Sequence, residues 1–107
     1  MAWKITFFDK KVEEETYKFP PGILADFLHI AELIEKFGAD LGSPHTKALG
    51  RGLFEIKAKG REGIGRSLFC FALKNEIIIL HSFIKKTQKT PKKEIETALK
   101  RMKEVRQ

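Results

Sequence analysis

Cysteine is nearly absent from this chain of 107 residues: Cys70 stands alone, which excludes an internal disulfide and any thiolate-based metal cluster. Histidine is scarce and dispersed, with His29, His45 and His81 far apart in sequence, so no metal-ligand spacing arises and no cofactor is expected. The single tyrosine, Tyr17, lies far from the basic half of the chain. Long apolar runs are missing too. A helix crossing a bilayer needs roughly 20 apolar residues, and no stretch approaches that length, nor does "AWKITFFDKK" carry an apolar core of signal-peptide type. These absences predict a cytoplasmic protein without a membrane partner. The glycines of "GREGIG" are spaced unlike a Walker or dinucleotide loop, and no GxSxG elbow occurs. The carboxylates Glu13, Glu14 and Glu15 suit a solvated helix face better than an acid/base pair.

Positive charge, by contrast, is plentiful and unevenly placed. Residues 1–43 hold five Lys/Arg against eight Asp/Glu, a balance of −3, whereas residues 44–107 hold sixteen against six, a balance of +10. A basic cluster of this kind favours a polyanionic partner, because cations set against phosphates release condensed counterions.

Periodicity predicts an α+β domain over residues 1–107. "WKITFFD" is rich in aromatic and β-branched residues and reads as a strand. A short polar helix follows around "KKVEEETYKF", ended by Pro20 and Pro21. Ile23, Phe27, Ile30, Ala31, Ile34 and Phe37 recur three and four apart, an apolar stripe that predicts a helix closed by Gly38. "ADLGSPHTKALGRG" reads as a loop, rich in Gly, Pro and Ser. In "GLFEIKAKG", Phe54, Ile56 and Ala58 alternate with Glu55, Lys57 and Lys59, predicting a strand with a charged solvent face. "GREGIG" then joins it as a hairpin to "IGRSLFCFAL", and "EIIILHSF" is apolar on both phases, as in an interior strand. Thr90 and Pro91 suit the N-cap and first position of a last helix, whose stripe is Ile95, Ala98, Leu99, Met102 and Val105. Cys70 and His81 read as residues that pack or hydrogen-bond locally, and His45 as a loop histidine. The expected architecture is a small antiparallel sheet of about four strands, two N-terminal helices and one C-terminal helix.

Lys57 and Lys59 project from one strand face about 6 to 7 Å apart, close to the repeat of phosphates along an extended nucleic acid strand. If the next strands pair as a meander, Arg66 and the tract Lys85 to Lys89 approach the same edge and form an accessible cationic concavity. "LGSPHTKALGRGLFEIKAKGREGIGRSLFCFAL", followed by "IIILHSFIKKTQKTPKKEIETALKRM", resembles the host-inhibition (HigB) branch of the RelE/ParE toxin superfamily over nearly the whole chain. The resemblance implies a RelE-like fold and a ribosome-dependent endonuclease that cuts messenger RNA as the toxin of a type II toxin-antitoxin system. It also implies a helix-turn-helix, HigA-like antitoxin, with operator DNA bound only through that antitoxin. By resemblance Lys57, Arg66 and Lys86 carry the active face, while Glu55 stands where some relatives have another lysine. Lys59, Arg51, Lys85, Gln88 and Lys89 are the expected RNA-binding residues.

Cleavage of RNA by its own 2′-hydroxyl requires a base, stabilisation of a phosphorane and an acid for the 5′-oxygen. Arg66 and Lys86 suit the phosphorane, and Lys57 or Glu55 the base. A lysine base needs a lowered pKa. The acid is left open among Lys86, Lys85 and His81. Two other activities fit the same residues: gyrase poisoning on a ParE-like fold, for which the basic face is dispensable, and RNA binding without cleavage.

Overall fold

The computed structural model describes residues 2–72, 74–85 and 89–106. In chain order the elements are β1 (Lys4–Phe7), α1 (Lys10–Tyr17), α2 (Pro21–Phe37), β2 (Thr46–Gly50), β3 (Leu53–Gly60), β4 (Gly63–Ala72), β5 (Glu76–Lys85) and α3 (Lys92–Val105). The strands form one sheet in the order β1-β5-β4-β3-β2. Strands β2 to β5 are a meander of antiparallel neighbours, whereas β1 joins β5 in parallel. The sheet is therefore mixed and has five strands, where about four antiparallel strands were expected.

The additional strand is β2, which lies in the segment expected to be a loop. "TKALG" has little β propensity of its own. It is held by pairing with β3 across a turn that uses three consecutive positive φ angles, at Gly50, Arg51 and Gly52. The parallel direction of β1 is equally a tertiary matter, since α1, α2 and three strands separate it in sequence from β5.

Helices α1 and α2 cover one face of the sheet. Ile23, Phe27, Ile30 and Ile34 from the apolar stripe of α2 pack with Ile56, Ala58, Phe69, Ile77 and Ile79. Burying each such aliphatic or aromatic side chain contributes about 1.5–3 kcal/mol. Helix α2 has no side-chain cap of its own. Instead the β3–β4 hairpin caps it: Glu62 accepts a hydrogen bond from the Gly22 N–H at 3.0 Å, and this bond holds the Glu62 pKa below the usual carboxylate range. The approach is close enough that a Cβ on Gly60 would stand 2.5 Å from the Ile23 nitrogen. At its other end α2 stops at Gly38, φ 94°, as its sequence position indicates.

Helix α3 covers part of the opposite face, setting Ala98 and Met102 against Leu53, Leu68, Cys70 and Leu80. It begins at Lys92 with Pro91 as the capping residue. Thr90 is not its N-cap: the Thr90 hydroxyl is turned toward the sheet and donates to Glu55 Oε1 at 3.0 Å.

Candidate active site

The part of that second face left open by α3 carries the charged residues. Directly paired residues share a face, so Lys47 stands with Glu55 and Lys57 with Arg66. Lys85 reaches this face through an irregularity. The β4–β5 register shifts between Leu68 and Phe69, which pair with His81 and Ile79, leaving Leu80 as the extra residue of a β-bulge. Ile77 and Ile79 point to the α1/α2 face. Strict alternation would send His81, Phe83 and Lys85 there too. After the bulge the phase is inverted: Ser82 bonds with Ser67 and Thr16 on the α1/α2 side, and His81 meets Glu94 on α3. Lys85 thus joins Arg66, Glu55, Lys57 and Lys47.

Glu55 and Arg66 do not lie on a solvent face. Glu55 is 0% and Arg66 5% exposed, and Arg66 NH1 donates to Glu55 Oε2. With Thr90 on its other oxygen, Glu55 is occupied at both ends, which corrects its assignment as a candidate base. A carboxylate held this way fixes a guanidinium, and at 0% exposure neither of its oxygens is open to a substrate hydroxyl. The expectation of an accessible Arg66 is corrected for the same reason: the buried carboxylate draws the arginine into the sheet. The buried Arg66 Nε has no hydrogen-bond partner among the described residues. This is the one buried side-chain donor left open there, and it belongs to the residue best suited to an oxyanion.

Lys85 is 8% exposed. Its pKa is lowered from the usual 10.5, first by desolvation and then by Arg66, Lys57 and Lys47, with Glu55 acting in the opposite sense. It stands at a position expected to grip RNA or to serve as one of three candidate acids. Lys57 is half-buried and Lys59 exposed on the outward run of β3. Arg51 and Lys89 lie apart from this cluster: both line an open cleft of about 790 Å³ between the β2–β3 turn and the start of α3, with Thr90, Lys92 and Ile95. Lys86 and Gln88 fall outside the described residues.

Sequence reasoning did not single out Lys47, which sits in the segment taken for a loop, or the role of Thr90. It had no signal for the bulge. His81 packs and bonds locally as expected: Nε2 is 2.7 Å from Glu94 Oε1, and its ring stacks on Phe83. Cys70 is buried. His45 meets His29 edge to face, with ring centroids 6.3 Å apart.

A five-stranded mixed sheet of this order, with two helices on one face and one on the other, defines a RelE-like α+β fold. It matches a chain of the archaeal RelE-RelB complex from Pyrococcus horikoshii OT3 with a TM-score of 0.57, over 80% of this chain and 98% of that one, at 19% identity. The chain belongs to the phage derived protein Gp49-like family, whose model matches residues 14–103, and this is a family of RelE/HigB-type toxins. No curated protein matches it.

Proposed function

We propose that the protein is the toxin of a type II toxin-antitoxin system and a ribosome-dependent messenger RNA endonuclease. The observation that carries this reading is Lys85: a buried lysine with a lowered pKa beside an arginine whose Nε has no partner among the described residues. The fraction of Lys85 that is unprotonated, enlarged by the lowered pKa, takes the proton of a 2′-hydroxyl. The 2′-oxygen attacks the adjacent phosphorus, Arg66 and Lys57 stabilise the phosphorane, and the bond to the 5′-oxygen breaks, leaving a cyclic phosphate and a 5′-hydroxyl. The proton reaching the 5′-oxygen comes from a lysine ammonium, that of Lys57 or, by resemblance, of Lys86. Glu55 and Thr90 are positioning residues for Arg66.

The site has a basic floor, and the ribosome holds the message there in a cleavable geometry. Arg51, Lys89 and Lys92 along the adjoining cleft suit the backbone of messenger or ribosomal RNA. The structural relative was solved as a RelE-RelB complex. By that analogy, and by resemblance to the host-inhibition branch, this chain pairs with a helix-turn-helix antitoxin that carries it to operator DNA.

New RNA 5′ ends mapped after brief induction test the activity. Wild-type protein should cut translated message and leave naked RNA nearly intact, while Lys85→Met and Lys85→Arg should both lose cleavage, because arginine keeps the charge and cannot act as a base. Full cleavage by Lys85→Arg would refute the base assignment. Growth arrest without new RNA ends, with gyrase inhibited, would refute the nuclease.

A further inference from the structure

The side of the molecule remote from the basic site carries a second constructed surface. β1 is an edge strand, paired on one side only with β5. The Lys4 N–H bonds to the Asn75 carbonyl at 2.9 Å and the Phe8 N–H to the Ile79 carbonyl at 2.8 Å, so even-numbered residues of this strand turn their backbone groups toward β5. The odd-numbered ones turn outward. At Trp3 the outward N–H is taken by the Glu35 carbonyl at the end of α2, at 3.0 Å. At Ile5 and Phe7 the outward N–H and C=O groups face the open edge.

Two cavities flank these two residues, of about 300 Å³ toward α2 and about 660 Å³ toward α1, and Ile5, Phe7 and Tyr17 line both. Leu28 and Ala31 extend the apolar floor on α2. Tyr17 and Leu28 are 49% and 40% exposed, two of the four large hydrophobic residues so exposed among those described. The rim is acidic, with Glu32 and Glu35 on one side and Asp9 and Glu13 on the other against the single cation Lys10. In a chain with a net charge of +7 this is a local reversal of sign.

We propose that the open edge of β1 and its apolar groove bind an extended segment of a partner protein, apolar at alternate positions and flanked by lysine or arginine, which adds as a sixth strand. The free edge supplies main-chain hydrogen bonds, the groove takes alternate side chains, and the rim selects a cationic segment and repels an acidic one. An unpaired edge presents a row of N–H and C=O groups on which another chain can pair. The inference does not depend on the nuclease reading, and its test contains no RNA.

A synthetic peptide alternating valine with lysine is titrated into the full-length protein while amide hydrogen exchange is followed residue by residue. Exchange at Ile5 and Phe7 should slow on binding. A peptide with glutamate in place of lysine should bind at least about tenfold more weakly. N-methylation of the valine peptide at alternate amides should abolish binding from the register that faces β1. Glu32→Lys combined with Glu35→Lys, two exposed helix positions outside the RNA site, should weaken binding by a similar factor. Unchanged exchange at Ile5 and Phe7, equal binding of the glutamate peptide or of both N-methylated registers, or coverage of the edge by a second copy of this chain would overturn the proposal.

Discussion

At the scale of single residues, the Glu55–Arg66 pair separates folding from function. Removing one partner leaves the other charged and buried, which typically costs about 3–5 kcal/mol. Arg66→Ala should therefore lower the denaturation midpoint as well as abolish cleavage, so loss of toxicity in that variant alone does not isolate chemistry. Replacing both, Glu55→Met with Arg66→Leu, should restore most of the stability and leave the protein inactive. Chemical denaturation of the three variants checks this. Lys85 gives the converse case, in which function opposes stability. Its folded-state pKa lies below 10.5, so between the two values the unfolded chain holds more protons and stability rises with pH. Below that window the penalty for the buried ammonium is constant. Lys85→Met should remove the pH-dependent rise and stabilise the protein at neutral pH, measured by denaturant titration across the window. As the base, Lys85 should also make the cleavage rate climb with pH until its lowered pKa is reached.

Among the elements, the β3–β4 hairpin and α2 depend on each other through Glu62 and Asp26, which accept from the Gly22 and Lys59 N–H groups respectively. The Glu62 pKa is depressed, so its contribution is fully present above the usual 4.5 and is lost as pH falls through the folded value. Glu62→Gln should make the acid limb of the stability curve shallower, with little change in cleavage, since α2 lies on the face away from the site. Helix α3 is docked by apolar contacts and by Arg101, which donates to the Leu80 carbonyl at 2.7 Å and lies 5.5 Å from the Phe8 ring centroid. Arg101→Ala should cost about 1–3 kcal/mol and speed amide exchange in β5 at the bulge, because a charged donor to a buried carbonyl is removed.

For the whole molecule, charge is distributed by face: Lys47, Lys57, Arg66 and Lys85 gather on the α3 side, and the acidic rim beside β1 lies on the α1/α2 side. Association with the ribosome should weaken steeply with salt. Arg51→Ala and Lys89→Ala should each reduce the slope of log affinity against log salt by about 0.7–0.9. An unchanged slope would return the cleft beside α3 to the status of an ordinary solvated surface.

The sequence by itself determined the helices, the hairpin at Arg61 and Glu62, the three long strands and the basic second half, because these rest on local periodicity, turn chemistry and charge, which need no partner. The RelE-like class was legible in another way, through the resemblance of motifs spread along the chain to a known family, and not from periodicity or charge. Strand β2 was not, since its pairing with β3 outweighs a composition poor in strand formers. The direction of β1 was not, since parallel pairing joins residues more than seventy positions apart. At the site, Lys57 and Arg66 were legible as neighbours from strand alternation. Only the tertiary structure decided that Glu55 is buried against Arg66 and Thr90, because local alternation says which face a residue takes and not what covers it. It also decided which face Lys85 takes: one extra residue at Leu80 inverts the alternation of β5 and sets Lys85 with Arg66 and Lys57, and a bulge is a property of two paired strands.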